Sequence, residues 1–226
     1  MGKSQQGIYG AYKGRVGNVV GSVRDGAQIL RIRPASVRNP RTDAQQNIRL
    51  RFSMLGKFLS NLRPSVSTGF ASEAVNRVSA VNAALRENFS KVFTGTYPDL
   101  VLDFGKISLS TGRLTIPTGV TLESQTGGIL SLSWKDNTLV NKDMFNANAE
   151  DTLIAGIYNE ELEQGVVSYG AFRRSDAAGT VELPDSWAGN TLHVWVFYRS
   201  GAEPKKIQLG YDVSNTVYAG SVTLQA

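Results

Sequence analysis

The chain has 226 residues, 41% of them hydrophobic and 19% charged, with a net charge of +5, one histidine and no cysteine. That composition suits a folded protein and argues against wholesale disorder, while the missing cysteine excludes disulfides, thiolate metal sites and Cys/His nucleophile pairs within one chain. No stretch approaches the roughly 18 apolar residues that span a bilayer, and the N-terminus lacks the apolar core of a signal peptide, so neither membrane insertion nor export is expected.

The charge is unevenly spread. Residues 1–98 hold 15 Lys and Arg against four acids, a net +11, and residues 99–226 hold nine against 15, a net −6. A basic front portion of this kind is suited to nucleic acid, to an acidic protein surface, or to the acidic half of a neighbouring copy.

In chain order, GIYGAYKGRVGNVVG comes first and places Gly7, Gly10, Gly14, Gly17 and Gly21 at steps of three and four around Lys13 and Arg15. A phosphate cradle does not fit, because the run has neither the Lys-Ser/Thr of a Walker loop nor two glycines one residue apart; a GXXG match alone specifies nothing. A helix does not fit either, since five interior glycines would cost about 5 kcal/mol relative to alanine. The run is therefore expected to be extended or turning, its backbone lying closely against another surface. Asp25-Gly26, between two β-branched runs, signals a hairpin. Arg31, Arg33, Arg38, Arg41, Arg49 and Arg51 form a cluster of arginines without lysine, suited to bidentate contact with carboxylate or phosphate. A solvated face, an acidic protein partner and a nucleic-acid backbone all stay open as its explanation.

Helical signals follow the basic region of residues 1–41. Thr42-Asp43-Ala44-Gln45 reads as a capping box, and Ile48, Phe52, Leu55, Leu59 and Leu62 recur as one helical stripe. Pro64 is expected to stop that helix, SVSTG to turn, and Phe70, Ala74, Val78, Val81, Leu85 and Phe89 to mark a second helix, giving an antiparallel pair over residues 42–96. From residue 97 to 226 the period falls to two. DLVLDFGKISLS, GILSLSW, DTLIAGIYN, GVVSYGAFR, GTVELP, LHVWVFYR and NTVYAGSVTLQ are short strands separated by turn residues, which predicts an antiparallel β-sandwich and an α+β chain. LHVWVFY is apolar on both faces, as a central strand covered on both sides should be.

Catalysis finds little support. His193 lies mid-strand between Leu192 and Val194 and reads as a packed residue. Glu160, Glu161 and Glu163 crowd one turn and read as loop charge, and Asp136-Asn137 read as turn residues. No catalytic, cofactor-binding or metal-ligating residue is assigned. Trp134, Trp187 and Trp195 are the candidates for a ligand or glycan platform, with Trp187, placed in a turn, expected to be the most exposed.

YKGRVGNVVGS, NPRTDAQQNIRLRF, GTYPDLVLDFGKISLSTGRL, LSLSWKDN, ELPDSWAGNTLHVWV and NTVYAGSVTL occur here in an order that resembles a Bacteroidota domain-of-unknown-function family found in chromosomes and prophages. Its signatures are a glycine and basic arm of GKxGxVVG type and an NPxTxAQ helix start, here Asn39, Pro40, Arg41, Thr42, Ala44 and Gln45. The resemblance implies a C-terminal sandwich of fibronectin type III or immunoglobulin type, no inherited activity and no cofactor. It leans the function toward a structural component of a phage particle, located in the virion or in host cytoplasm during assembly. Partners would be further copies, other structural proteins, or a nucleic-acid backbone. The arm glycines, Lys13, Arg15 and the six arginines are the expected interface, and the charge split suits head-to-tail contact.

Overall fold

The computed structural model describes residues 3–4, 10–24, 26–36, 39–74, 78–138, 147–201 and 212–225. The chain divides into two compact units, Met1–Thr42 and Asp43–Ala226.

In the first unit, β1 (Lys3–Ser4), β2 (Tyr12–Val16), β3 (Val19–Arg24) and β4 (Ala27–Ile32) form one antiparallel sheet in chain order. Two-residue loops make both tight connections, since Val16 pairs with Val19 and Arg24 with Ala27. Gly17 takes φ +56° at the first loop, where a side chain would be strained. Gly21 opposes Gly14, and a Cβ on it would stand 2.6 Å from both the ring and the carbonyl oxygen of Tyr12. The arm glycines within the described residues thus serve strands and turns, as an extended run requires. Gly7 lies outside the described residues, as do Asp25 of the hairpin turn and Arg38.

The second unit begins with α1 (Asp43–Asn61), α2 (Arg63–Gly69) and α3 (Ala80–Asn88). The expected helix pair is three helices. α1 ends at Asn61, next to the stop expected at Pro64, but helical structure resumes at once, because Pro64 stands in the first turn of α2, where its missing N–H has no helical partner to lose. The expected turn at SVSTG is consequently part of α2. The helix anticipated from Phe70 begins only at Ala80, capped by the Ser79 hydroxyl, which accepts from the Asn82 N–H at 3.2 Å.

The short strands β5 (Phe93–Thr94) and β6 (Val101–Leu102) pair with each other. Then come β7 (Thr118–Gln125), β8 (Ile129–Lys135), β9 (Thr152–Asn159), β10 (Gln164–Arg173), β11 (Ala178–Glu182), β12 (Thr191–Arg199) and β13 (Val217–Thr223). They build a four-stranded sheet, β10-β9-β12-β13, and a three-stranded sheet, β11-β8-β7. Side-chain alternation divides β9 and β12 between two cores. Leu153, Ala155, Ile157, Leu192, Val194, Val196 and Tyr198 meet Leu130, Leu132 and Trp134 of β8, which makes the sandwich. Ile154, Tyr158, Trp195 and Phe197 meet Leu55, Phe58, Leu59, Val66 and Phe70 of the helical segment. The central strand β12 is therefore covered on both sides, and the helices form a third layer. Asn88 ties α3 down: its amide donates to the Ala84 and Ser108 carbonyls at 2.8 Å and its oxygen accepts from the Ser108 N–H at 2.7 Å.

The α1 stripe is only half used. Leu55, Leu59 and Leu62 are fully buried, whereas Ile48 and Phe52 are 58% and 57% exposed. Phe52 lines an open groove of about 520 Å³ with Leu85 and Arg86 of α3 and Phe89 just after it.

Candidate docking surface

Residues directly opposite one another in an antiparallel sheet share a face, so the register of β2, β3 and β4 sorts their side chains. Arg15, Val20 and Arg31 form one row across the three strands, and Val16, Val19 and Ile32 form a row on the other face. Gly14, Gly21 and Leu30 continue the second face, with the Tyr12 ring laid over Gly21. The result is a sheet with one basic and one apolar side. Both sides carry exposed residues: Arg15 and Arg31 on one, and Val16, Leu30 and Ile32, at 54%, 56% and 79%, on the other, while Val19 and Val20 of the middle strand are half-buried. Among the described residues, both hydrophobic cores are built from Leu55 and later residues. Residues 1–42 also carry eight Lys and Arg against Asp25 alone, a net +7.

The expected interface residues separate on this frame. Lys13 and Arg15 lie on β2 and Arg31 on β4, all exposed; Gly10 forms a bend before β2. Arg33 follows β4, where its N–H donates to the Asn18 carbonyl at 2.8 Å. Arg41 sits at a backbone φ of +50°. Arg49 and Arg51 belong to the second unit, on α1. Arg51 is already engaged there, donating to Asn47 Oδ1 at 2.9 Å and lying 5.3 Å from the centroid of the Phe93 ring. It is a helix-anchoring residue rather than a free contact.

The other candidates are structural. His193 is 8% exposed, with Nδ1 2.8 Å from the Tyr218 hydroxyl, Nε2 3.1 Å from Glu160 Oε2, and its ring 4.0 Å from that of Phe104. Both Glu161 oxygens accept from the Thr191 N–H at 3.0 Å, and that bond holds the carboxyl below the usual range. Glu163 pairs with Lys57. The acidic turn is exposed, as loop charge should be, and its carboxylates also bond to β12 and α1. Asp136 accepts from the Thr138 hydroxyl and N–H, which lowers its pKa. Trp187, expected to be exposed, is 1% exposed, because the short 3₁₀ turn at Asp185–Trp187 folds its indole inward, where Nε1 donates to Gln164 Oε1 at 3.3 Å. Trp134 and Trp195 are likewise buried, so none of the three presents a stacking platform. Among the described residues, no group of three or more His, Asp or Glu is placed to hold a metal ion, and no helix is long and apolar enough to cross a membrane.

Sequence reasoning missed one feature entirely. Arg174 is fully buried and donates to Asp151 Oδ2 from Nε at 3.3 Å and from Nη2 at 3.0 Å, to the Thr115 carbonyl at 3.2 Å, and to Asn137 Oδ1. Its guanidinium lies 3.8 Å from the Tyr198 ring centroid. Burial pushes the Tyr198 hydroxyl up to about 12. Twenty-odd residues separate the ion partners, so no local motif announces the pair.

The pattern of the family of unknown function DUF6266 matches residues 10–220, and the chain belongs to that family. No curated protein matches it. Among solved structures it is similar to the fn3 domain of human collagen alpha-1(XX) chain, at 22% identity over 52% of this chain and 90% of that one, with a TM-score of 0.32. It is also similar to the fn3 domain of human contactin 1 (13% identity, 52% and 83% coverage, TM-score 0.30) and to the FN1-FN3 domains of chicken CNTN1 (13%, 51% and 33%, 0.29).

Proposed function

We propose that this DUF6266 protein is a non-enzymatic assembly protein in which the N-terminal sheet docks onto other macromolecules and the helix-covered sandwich is the body being joined. One observation carries this reading: the sheet of residues 12–32 is apolar on one side and basic on the other, with Val16, Leu30 and Ile32 exposed on the first and Arg15 and Arg31 on the second. A two-sided sheet with no core has nothing of its own to offset the entropy of ordering glycine-rich strands, so a partner surface must do so. Exposed apolar area of this kind marks an interaction surface on a folded protein. The resemblance of the arm and the NPRTDAQ helix start to prophage sequences supports placing that assembly in a phage particle of Bacteroidota.

Residues 43–226 contain both cores and should fold alone. The full chain is expected to sediment as an oligomer and the 43–226 fragment as a monomer, with melting temperatures of the body within a few degrees. Identical sedimentation of the two would refute the proposal. So would a lone full-length subunit, in dilute solution, whose amides at 12–32 exchange as slowly as those of β12. The rival use of Arg15 and Arg31 on a phosphate backbone is read in the same samples: tight binding to random duplex at low salt, with a steep salt slope, would favour nucleic acid.

A further inference from the structure

A sheet edge is a row of unpaired N–H and C=O groups that invites another strand, and folded proteins commonly blunt it with bulges or short strands. The body does so. At the open edges of its two main sheets, β7, β10 and β13 each carry extra residues against their neighbour, breaking register between Thr118 and Thr121, between Ser168 and Phe172, and opposite Val194/Trp195. β11 is only five residues long. β4 differs from all of them: among the described residues it forms an outer edge of its sheet, pairs with β3 residue for residue without a shift, and has all six residues exposed. It contains neither proline nor lysine.

The bond from the Arg33 N–H to the Asn18 carbonyl sets which groups face outward. Bonded and non-bonded pairs alternate along an antiparallel ladder, so Arg31, Ile29 and Ala27 bond inward to Val20, Ser22 and Arg24. Gln28, Leu30 and Ile32 therefore turn their N–H and C=O groups toward the open edge. Any added strand must bond to these three residues.

We propose that β4 pairs antiparallel with β4 of a second copy about a two-fold axis at Leu30. This rests on the assembly role proposed above. In that register Leu30 opposes Leu30 of the second copy, and Gln28 opposes Ile32 in both directions, so all three outward residues form bonded pairs of two N–H···O bonds each. Shifting the register by two residues in either direction loses one of the three pairs. One such shift sets Arg31 directly opposite Arg31; the Leu30 register sets Arg31 opposite Ile29 and offsets the charges. A two-fold perpendicular to the sheet keeps each face on its own side, so the apolar rows join one another and the basic rows do likewise. The contact is isologous and closed.

Leu30→Pro tests it, because proline removes only an outward N–H and is tolerated on an edge. Losing both N–H groups of the central pair should weaken the dimer at least thirty-fold or so, measured by sedimentation equilibrium. Leu30→Lys, which leaves the backbone intact but opposes two charges on the axis, should weaken it too. Amide protection of β3 in both variants verifies that the sheet persists. If both variants dimerise within threefold of the unaltered chain while 43–226 stays monomeric, strand pairing is wrong and docking by residues 1–42 survives. If 43–226 assembles like the full chain, the underlying assembly reading fails instead. A full chain that is monomeric at high concentration overturns the pairing outright.

Discussion

Replacing Asp151 with Asn should be among the most damaging single substitutions in the body. Asp151 and Arg174 are 1% and 0% exposed, and Asp151 Oδ2 accepts from the Asn148 N–H at 2.9 Å as well as from Arg174 Nε and Nη2. An amide at that position removes the counter-charge and presents its own N–H₂ or a single oxygen to donors that need both charge and lone pairs. Stripping one partner from a buried pair costs about 3–5 kcal/mol, because the remaining charge is left uncompensated. Contacts of Arg174 to Asn137, the Thr115 carbonyl and the Tyr198 ring persist but bring no negative charge. For a body of this size the loss corresponds to a fall in melting temperature of about 6–20 °C. The neighbouring pair supplies the control: Arg173 and Glu150 are 3.0 Å apart but 60% and 66% exposed, so Glu150→Gln should cost less than about 1 kcal/mol. Urea unfolding followed by tryptophan fluorescence reads both, since Trp134 Nε1 donates to the Arg174 carbonyl at 3.0 Å. The double variant Asp151→Leu with Arg174→Met should lose less than Asp151→Asn alone. Equal losses for Asp151→Asn and Glu150→Gln would refute the reasoning.

Three further outcomes are expected. The Tyr198 hydroxyl ionises only near 12 in the folded state against about 10 unfolded, so its contribution is fully present below pH 10 and fades as pH rises toward 12. Tyr198→Phe should reduce the alkaline slope in urea titrations, leaving the part that Tyr158, Tyr169 and Tyr218 contribute, and, because the hydroxyl has no partner among the described residues, cost nothing at pH 7. Gly21→Ala should collapse the N-terminal sheet through its 2.6 Å clash with the Tyr12 carbonyl, abolishing assembly and amide protection at 12–32 while leaving the unfolding of 43–226 unchanged. Finally, two units of net +7 repel, so a β4-paired dimer should tighten as salt rises from 50 to 500 mM; weakening over that range would indicate contact with acidic groups instead.

What the sequence reveals, and what it hides, follows from how local each signal is. β8, β9, β11 and β12 are legible because every second residue enters a core, and the double-sided apolarity of LHVWVFY marks the layer between helices and sandwich. β7 escapes notice because only Val120 and Leu122 face the core, partly buried, and the remainder of TGVTLESQ is polar, as suits an edge. The helix count is misjudged at Pro64, since one residue type both ends helices and starts them. Arg174 and Asp151 meet only because the strand ends converge, and Trp187 is buried although its sequence context is a turn.

The candidate surface was legible in its chemistry but not in its geometry. Glycine spacing and arginine content point to residues 10–33 as an extended basic segment, and the alternation Leu30-Arg31-Ile32 already holds the two faces in miniature. Nothing in that string says that β4 lies on an outer edge. Edge status depends on which strands follow and where they pair, and here the next strands belong to a separate unit whose own edges are bulged. The absence of a bulge therefore becomes meaningful only by contrast. Among the described residues the other long edges are interrupted and this one is regular, which leaves a place for a strand, and outward groups spaced evenly about Leu30 are met in full by a copy of themselves.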